Sequence, residues 1–169
     1  MKYFLILAFA LSFIVPVNAQ NDSKSSTTVY YLIRHAEKDR SDKSNRNPNL
    51  TETGKVRAEN WSNIFKHVTF DAVYSTNYNR TMQTATPTAK AQKIEIQTYD
   101  PRSLSFEEFT EATKGKTVLV VGHSNTTPMF ANAILGEQKY EFMDDNDNGR
   151  LFIVTVTENQ KIDQILNIN

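Results

Sequence analysis

Residues 29–38 read VYYLIRHAEK, and this stretch decides the fold. A run of β-prone, mostly apolar residues leads directly into Arg34 and His35, and the sequence then turns polar. The pattern predicts a buried strand that carries Arg34 and His35 at its carboxyl end. Ligands of open α/β sheets bind at that edge. An imidazole there can serve as a nucleophile, a base or a metal ligand, and a neighbouring guanidinium can hold an anion.

The N-terminal residues have the composition of a targeting segment. Lys2 precedes an apolar run over residues 3–15, and small residues end this region at Ala19. The pattern predicts a signal peptide over residues 1–19 and an exported protein, periplasmic or secreted. The apolar run is too short to span a membrane comfortably, and an uncleaved anchor is the alternative. Residues 20–28 are polar and predict a disordered lead-in, so one domain is expected over residues 29–169.

The bulk composition narrows the class of protein. The formal net charge is 0 at pH 7, which argues against a nucleic-acid-binding or membrane-surface protein. No cysteine is present, so the exported domain cannot depend on disulfides and must be stabilised by packing.

Predicted strands and helices alternate along the chain. After the first strand, further strands are expected over 71–75, 94–99 and 117–121, and an antiparallel pair over 151–157 and 162–168 closes the sheet. Helices are expected from an N-cap at Thr51 to about Lys66, around Arg80, over 103–113, and after His123. The alternation predicts a three-layer α/β/α sandwich with a mostly parallel central sheet and an antiparallel C-terminal strand pair.

Two residues mark special positions in these helices. Gly54 costs helix propensity in the first turn of its helix, which indicates close backbone packing at that point. Pro87 is expected to break or kink the helix that contains Arg80 before Lys90.

Two short motifs resemble ligand-binding loops but lack the rest of the pattern. Residues 114–117 read KGKT, like the end of a phosphate-binding loop, but they precede a strand and the earlier glycine is replaced by Thr110. Residues 144–149 read DDNDNG, like the first half of a calcium-binding EF-hand loop, but the twelfth position is Thr155. We interpret residues 144–149 as a turn rich in Asp, Asn and Gly.

Three predicted strand ends deliver candidate functional residues. The first gives Arg34 and His35, the second leads to Arg80 in the opening turn of a helix, and the fourth gives His123. Their convergence on one edge of a sheet would form a compact, positively charged pocket. Such a pocket suits a phosphoryl group, whose charge is spread over its oxygens.

Four motifs in this order resemble those of the histidine phosphatase superfamily, also called phosphoglycerate mutase-like. They are RHAE over 34–37, LTETG over 50–54, the segment 75–85 that contains Arg80, and GHSN over 122–125. The resemblance implies a phosphoglycerate mutase-like fold and a phosphatase that needs no metal or other cofactor. Its partners would be a small phosphorylated substrate or a phosphoprotein.

The resemblance also implies residue roles. His35 would attack phosphorus and become a phosphohistidine, which water then hydrolyses, while Arg34, Arg80 and His123 would hold the phosphate. The family also uses an acid to protonate the leaving group, for which this chain offers Asp100, Glu107 and Glu108. Asp100 is preferred because it follows the third predicted strand, although small phosphohistidine phosphatases of the family manage with no evident acid.

Three other functions remain open at this point. A phosphomutase is less favoured because the chain between its motifs is short, leaving little room for insertions that enclose a phosphoglycerate. A binding module would keep the phosphate pocket without turnover, and a metal hydrolase would use His35 and His123 as ligands. The third histidine, His67, lies where a helix is expected to end and is interpreted as structural.

Overall fold

The protein is described by a computed structural model over residues 27–168. The predicted signal peptide over 1–19 and all but the last two residues of the predicted lead-in over 20–28 lie outside this range. Thr28, the last residue of that lead-in, already belongs to the first strand. No helix within residues 27–168 is both long enough and apolar enough to cross a membrane.

Strands and helices alternate in the described residues as the sequence predicts. They are β1 (Thr28–Arg34), α1 (Glu52–Ile64), β2 (Ala72–Thr76), α2 (Asn79–Gln92), β3 (Ile96–Tyr99), α3 (Phe106–Ala112), β4 (Thr117–Gly122), α4 (Thr126–Leu135), β5 (Arg150–Val156) and β6 (Lys161–Asn167). A short 3-10 turn over Phe65–His67 extends α1.

The strands form one mixed sheet in the order β3-β2-β4-β1-β5-β6. The pairs β1–β4, β4–β2 and β2–β3 are parallel. β5 pairs antiparallel with both β1 and β6. The predicted mostly parallel sheet with an antiparallel C-terminal pair is therefore confirmed. Because β2, β4 and β1 are adjacent and parallel, their carboxyl ends meet at one edge.

Both faces of the sheet are covered by helices. Side chains alternate along β1, so Tyr30 and Leu32 pack with Phe109 of α3 and Phe130 of α4, while Ile33 faces the opposite side. On that side the helix residues are Trp61 of α1 and Ala85 and Ala89 of α2. These two apolar layers give the predicted α/β/α arrangement, in which β1 and β4 are buried on both faces as central parallel strands should be.

Helix α1 begins as predicted and closely approaches the chain that leaves β1. The hydroxyl of Thr51 accepts a hydrogen bond from the backbone N–H of Gly54, at 3.0 Å, and so caps the helix. A Cβ on Gly54 would lie 2.2 Å from the carbonyl oxygen of Glu37. The predicted close packing at Gly54 is confirmed, and it fixes the segment that directly follows His35.

Helix α2 was predicted to break or kink at Pro87, and the predicted break is wrong. The helix runs from Asn79 through Pro87 to Gln92 and ends where Lys93 adopts a left-handed conformation with φ of 58°. Proline removes one backbone donor and crowds the preceding turn. Buried Ala85 and Ala89 pack this helix into the core on either side of the proline, and that packing outweighs the local preference.

Candidate active site

The carboxyl ends of the parallel strands open into a cleft of about 730 Å³. All the predicted site residues line this cleft, namely Arg34, His35, Arg80, Asp100 and His123. They come from the ends of β1, β3 and β4 and from the first turn of α2. The sheet therefore brings together residues that lie far apart in the sequence.

The backbone around His35 is fixed on three sides. Its N–H donates to the carbonyl of Gly122 at 2.9 Å, which extends the pairing of β1 with β4 by one residue. Its carbonyl accepts from the side-chain amide of Asn148 at 2.8 Å, and the next N–H, of Ala36, donates to the hydroxyl of Thr84 at 2.9 Å. The imidazole is thus carried by a rigid backbone rather than by a loop.

The imidazole of His35 is held as a neutral ring. Its Nδ1 donates a proton to the carbonyl of Ala36 at 2.7 Å, which leaves the Nε2 lone pair unprotonated. The residue is only 2% exposed, and this burial, reinforced by the positive charges of Arg34 and Arg80, lowers the pKa of His35 to about 3. At neutral pH the ring therefore has the state that a nucleophilic nitrogen requires.

His123 lies beside His35, with 5.5 Å between the two ring centroids. Its Nε2 is 2.9 Å from the hydroxyl of Thr76, and that hydroxyl donates in turn to the hydroxyl of Thr81 at 3.0 Å. A hydroxyl has one proton to donate, so Thr76 accepts the Nε2 proton of His123. Burial and the nearby charge of Arg80 lower the pKa of His123 to about 4.

Arg34 is buried at the base of the cleft and is held by the turn over residues 144–147. Its Nη1 donates to the carbonyls of Asp144 and Asp147 at 2.8 and 3.2 Å, and its Nη2 donates to Oδ1 of Asp145 at 2.7 Å. The Nε of Arg34 is buried and has no hydrogen-bond partner among residues 27–168. The sequence does not reveal this contact, because residues 144–149 show only the composition of a turn.

Arg80 contributes a second guanidinium from the first turn of α2. Its Cζ lies over the ring of Tyr78, 4.5 Å from the ring centroid, in a cation–π contact. Its Nε is also buried and without a hydrogen-bond partner in the part of the chain that the structure describes. Desolvation lowers the pKa of Arg80, and an anion in the cleft would offset this effect by favouring the charged guanidinium.

Asp100 lies in the cleft but is held by a neighbouring arginine. Arg102 donates to both of its carboxylate oxygens, from Nε at 3.1 Å and from Nη2 at 3.0 Å. These hydrogen bonds lower the pKa of Asp100, and because an ordinary aspartate already has a pKa of about 3.9, the carboxylate is ionised at neutral pH. The alternatives Glu107 and Glu108 are exposed on α3 and do not line the cleft. The role of Asp100 as a proton donor stays a prediction.

Of the other sequence features, His67 and residues 114–117 lie outside the cleft, whereas residues 144–149 contact its residues. His67 is exposed in the 3-10 turn after α1, and residues 114–117 form the turn that enters β4. Within residues 27–168, no group of three or more His, Cys, Asp or Glu side chains is placed to hold a metal ion. Within residues 144–149, Asp145 accepts a hydrogen bond from Arg34, and the side-chain amide of Asn148 donates one to the carbonyl of His35.

Part of the sequence matches a known protein family. The family model described as histidine phosphatase superfamily (branch 1) matches residues 30–101, which contain Arg34, His35 and Arg80. The match confirms the predicted resemblance to the histidine phosphatase superfamily over these residues. No curated protein matches the sequence.

Several solved structures share the fold at low sequence identity. A phosphoglycerate mutase from Bacillus anthracis str. Sterne is 15% identical with a TM-score of 0.62, and the alignment covers 84% of this chain and 93% of that one. A candidate phosphohistidine phosphatase SixA from Agrobacterium tumefaciens is 21% identical with a TM-score of 0.58, covering 82% and 97%. A phosphoserine phosphatase mutant from Entamoeba histolytica, in complex with phosphoserine, is 14% identical with a TM-score of 0.62, covering 84% and 96%. The predicted phosphoglycerate mutase-like fold is confirmed.

Proposed function

We propose that this protein is a member of the histidine phosphatase superfamily and a metal-independent phosphatase, which hydrolyses phosphomonoesters or phosphoramidates through a phosphohistidine on His35. The observation that carries the proposal is the state of His35. Its Nδ1 proton is committed to the carbonyl of Ala36, and its pKa is lowered to about 3. A neutral imidazole with a free Nε2 in a cleft lined by two guanidinium groups is suited to attack phosphorus.

The first step would transfer the phosphoryl group to the enzyme. The Nε2 lone pair of His35 forms a bond to phosphorus while the bond from phosphorus to the leaving oxygen or nitrogen breaks. The ring then carries a positive charge, which the hydrogen bond from Nδ1 to Ala36 stabilises. Arg34 and Arg80 would stabilise the negative charge on the phosphoryl oxygens in the transition state, and His123 would join them by turning its Nε2 proton from Thr76 to one of these oxygens.

The second step would release phosphate. Water attacks phosphorus, the bond to Nε2 breaks, and His35 returns to its neutral state with inorganic phosphate as product. The leaving group of the first step must take up a proton, for which Asp100 is the predicted donor. Because Arg102 holds that carboxylate in its ionised form, Asp100 would have to leave Arg102 and become protonated before it could serve.

The test is a panel of phosphorylated substrates assayed with the protein and with His35→Ala. We expect phosphate release by the wild-type protein and a loss of at least about a thousandfold in His35→Ala, as is typical when a nucleophile is removed. His67→Ala is the matched control, since His67 is exposed and outside the cleft, and it should keep full activity. Brief reaction with radiolabelled substrate should leave acid-labile label on the wild-type protein and none on His35→Ala.

The same panel separates the alternatives. Transfer of the phosphoryl group between two positions of a phosphoglycerate, without net phosphate release, would indicate a mutase. Tight phosphate binding with no turnover on any substrate would indicate a binding module. Loss of activity with a chelator and its recovery with zinc would indicate a metal hydrolase.

A further inference from the structure

The carboxylate of Asp145 lies in the same cleft as His35 and bridges two arginines. Its Oδ1 is 2.7 Å from Nη2 of Arg34, and its Oδ2 contacts Nη1 of Arg40 on the loop that follows β1. Asp145 lines the cleft together with His35 and His123. A carboxylate is therefore bound to Arg34, one of the guanidinium groups that the proposed mechanism assigns to the substrate phosphoryl group.

The two partners of this ion pair differ sharply in exposure. The side chain of Arg34 is 1% exposed, whereas that of Asp145 is 59% exposed. A carboxylate that serves only to orient an arginine can do so from the buried side, away from the ligand. Asp145 instead lines the cleft and is more than half exposed, so its carboxylate contacts Arg34 on a side that is open to solvent.

Orientation of Arg34 is already provided by the main chain. The carbonyls of Asp144 and Asp147 accept both hydrogen bonds from Nη1, and neither carbonyl can leave without unfolding the turn. The carboxylate of Asp145, by contrast, can swing into solvent by rotating its own side chain. When the pair opens, Arg34 keeps its two main-chain hydrogen bonds, and an incoming phosphoryl group restores the negative charge beside the buried guanidinium.

The chemistry of the bridge resembles that of a bound phosphate. Guanidinium groups bind carboxylate and phosphate oxygens through the same hydrogen bonds, and a phosphoryl group brings more negative charge. The hydrogen bonds from Arg40 and Arg34 lower the pKa of Asp145 to about 2, so the carboxylate is ionised throughout the neutral range. A phosphoryl group that binds the exposed side of the Arg34 guanidinium must therefore compete with the negative charge of Asp145.

We propose that Asp145 is an internal competitor for the phosphoryl group. Its carboxylate occupies Arg34 and Arg40 in the free protein, leaves when a phosphoryl group binds, and returns to Arg34 as inorganic phosphate departs. The role of Asp145 in turnover rests on the proposed phosphatase function. It makes Asp145 the residue that sets phosphate affinity and product release.

The experiment measures the binding of inorganic phosphate to the intact protein by calorimetry and by its effect on the melting temperature. In Asp145→Asn the dissociation constant should fall by roughly threefold to tenfold, because the competing charge is removed. Asp39→Asn is the matched control. Its carboxylate lies on the same loop as Arg40 and, among residues 27–168, accepts hydrogen bonds from Ser41 alone, so the variant removes the same charge without touching Arg34.

Turnover gives a second readout. With a substrate that the wild-type protein hydrolyses, Asp145→Asn should show a lower KM and stronger inhibition by phosphate, and Asp39→Asn should show neither change. Asp145→Ser should repeat both effects, which guards against an effect peculiar to the amide.

Several outcomes would overturn the proposal. Weaker phosphate binding in Asp145→Asn would mean that the carboxylate orients Arg34 rather than competes for it. A dissociation constant equal to that of Asp39→Asn, or no phosphate binding by any variant, would also overturn it. Phosphate binding that tightens in Asp145→Asn, without turnover on any substrate, would support the competition and contradict the phosphatase assignment.

Discussion

The chemistry of His35 follows from the different surroundings of its two ring nitrogens. Nδ1 is tied to the carbonyl of the next residue, Ala36, so the tautomer is set within a single peptide unit. Nε2 keeps its lone pair because burial and two nearby guanidinium groups disfavour the protonated ring. The neutral state of His35 should therefore be visible in the stability of the protein.

Stability should fall as the pH drops below the ordinary pKa of histidine, about 6.5. In the folded protein the pKa values of His35 and His123 are lowered to about 3 and about 4. Above pH 6.5 both rings are neutral in both states and the full stability is present. Between pH 6.5 and about 4 only the unfolded chain takes up the protons, so each ring removes up to about 1.4 kcal/mol of unfolding free energy per pH unit.

Urea unfolding between pH 4.5 and 7.5 measures this slope. His35→Gln should flatten the dependence of the unfolding free energy on pH, because one of the two buried rings is gone. His67→Gln is the matched comparison, because it removes an exposed histidine in place of a buried one. Equal slopes in all three proteins would contradict the assignment of a buried neutral ring at position 35.

Arg80 should matter for catalysis more than its charge alone suggests. Its guanidinium is fixed over Tyr78 and keeps a buried Nε without a partner among the described residues. Arg80→Ala should lower kcat/KM by about 100- to 1000-fold, in line with the removal of a preorganised donor. Arg80→Lys should recover part of that loss, because it restores the charge but not the planar donor set.

Lys90→Ala is the control for that series. Lys90 lies on the same helix, is exposed, and does not line the cleft, so the variant removes one positive charge from α2 without altering the site. Steady-state kinetics on a substrate that the wild-type protein hydrolyses give the comparison. An Arg80→Ala protein as active as Lys90→Ala would remove Arg80 from the mechanism.

Individual site residues differ in how well the sequence reveals them. Arg34, His35 and His123 follow strands of strong apolar character, so their position at the sheet edge could be predicted. Asn148 and Asp145 could not be predicted, because they lie in a turn whose composition fits any solvent-exposed loop. Their contacts with His35 and Arg34 depend on tertiary folding between residues more than 100 positions apart.

At the scale of secondary structure, α1 fixes the exit of the chain from β1. Thr51 donates its N–H to the carbonyl of Glu37 at 2.9 Å, and Gly54 packs against that same carbonyl. The capping residue and the glycine could both be read from the sequence, but their common partner could not. Helix α2 shows the opposite case, because Pro87 predicted a break that core packing prevents.

Gly54→Ala should destabilise the protein, although the same change in an open helix is stabilising. The added Cβ would lie 2.2 Å from the carbonyl oxygen of Glu37, so the helix or the segment after His35 must shift. We expect a loss of about 1–3 kcal/mol of unfolding free energy, as is typical of overpacking. Glu59→Ala is the control at an exposed position of α1 and should change stability by less than about 0.5 kcal/mol.

Chemical unfolding of both variants at neutral pH makes the comparison. A Gly54→Ala protein that is as stable as the wild type would show that the contact between α1 and the carbonyl of Glu37 relaxes at little cost.

For the whole molecule, the order of the strands decides where the site forms. Alternating strands and helices predicted the layers and the parallel sheet, because hydrophobic patterns are local. They did not predict that β4 lies between β1 and β2, which is what brings Arg34, His35, Arg80 and His123 to one edge. Strand order depends on the packing of distant segments and leaves no local pattern in the sequence.

The predicted export stays a prediction about the whole chain. If residues 1–19 are a signal peptide, the protein recovered after expression in a secreting bacterial host should begin at Gln20. Intact-mass measurement of the secreted or periplasmic fraction provides the test. A mass that includes Met1 to Ala19 would indicate an uncleaved anchor or no export.

β1 lies in the interior of the sheet, between β4 and β5, and is buried on both faces. Its amide protons should be among the last to exchange with deuterium, since only global opening exposes them. His35 directly follows this strand, and its N–H donates to the carbonyl of Gly122, which continues the hydrogen-bonded pairing of β1 with β4. On heating, catalytic activity and the native structure should therefore be lost together, without an inactive but still folded intermediate.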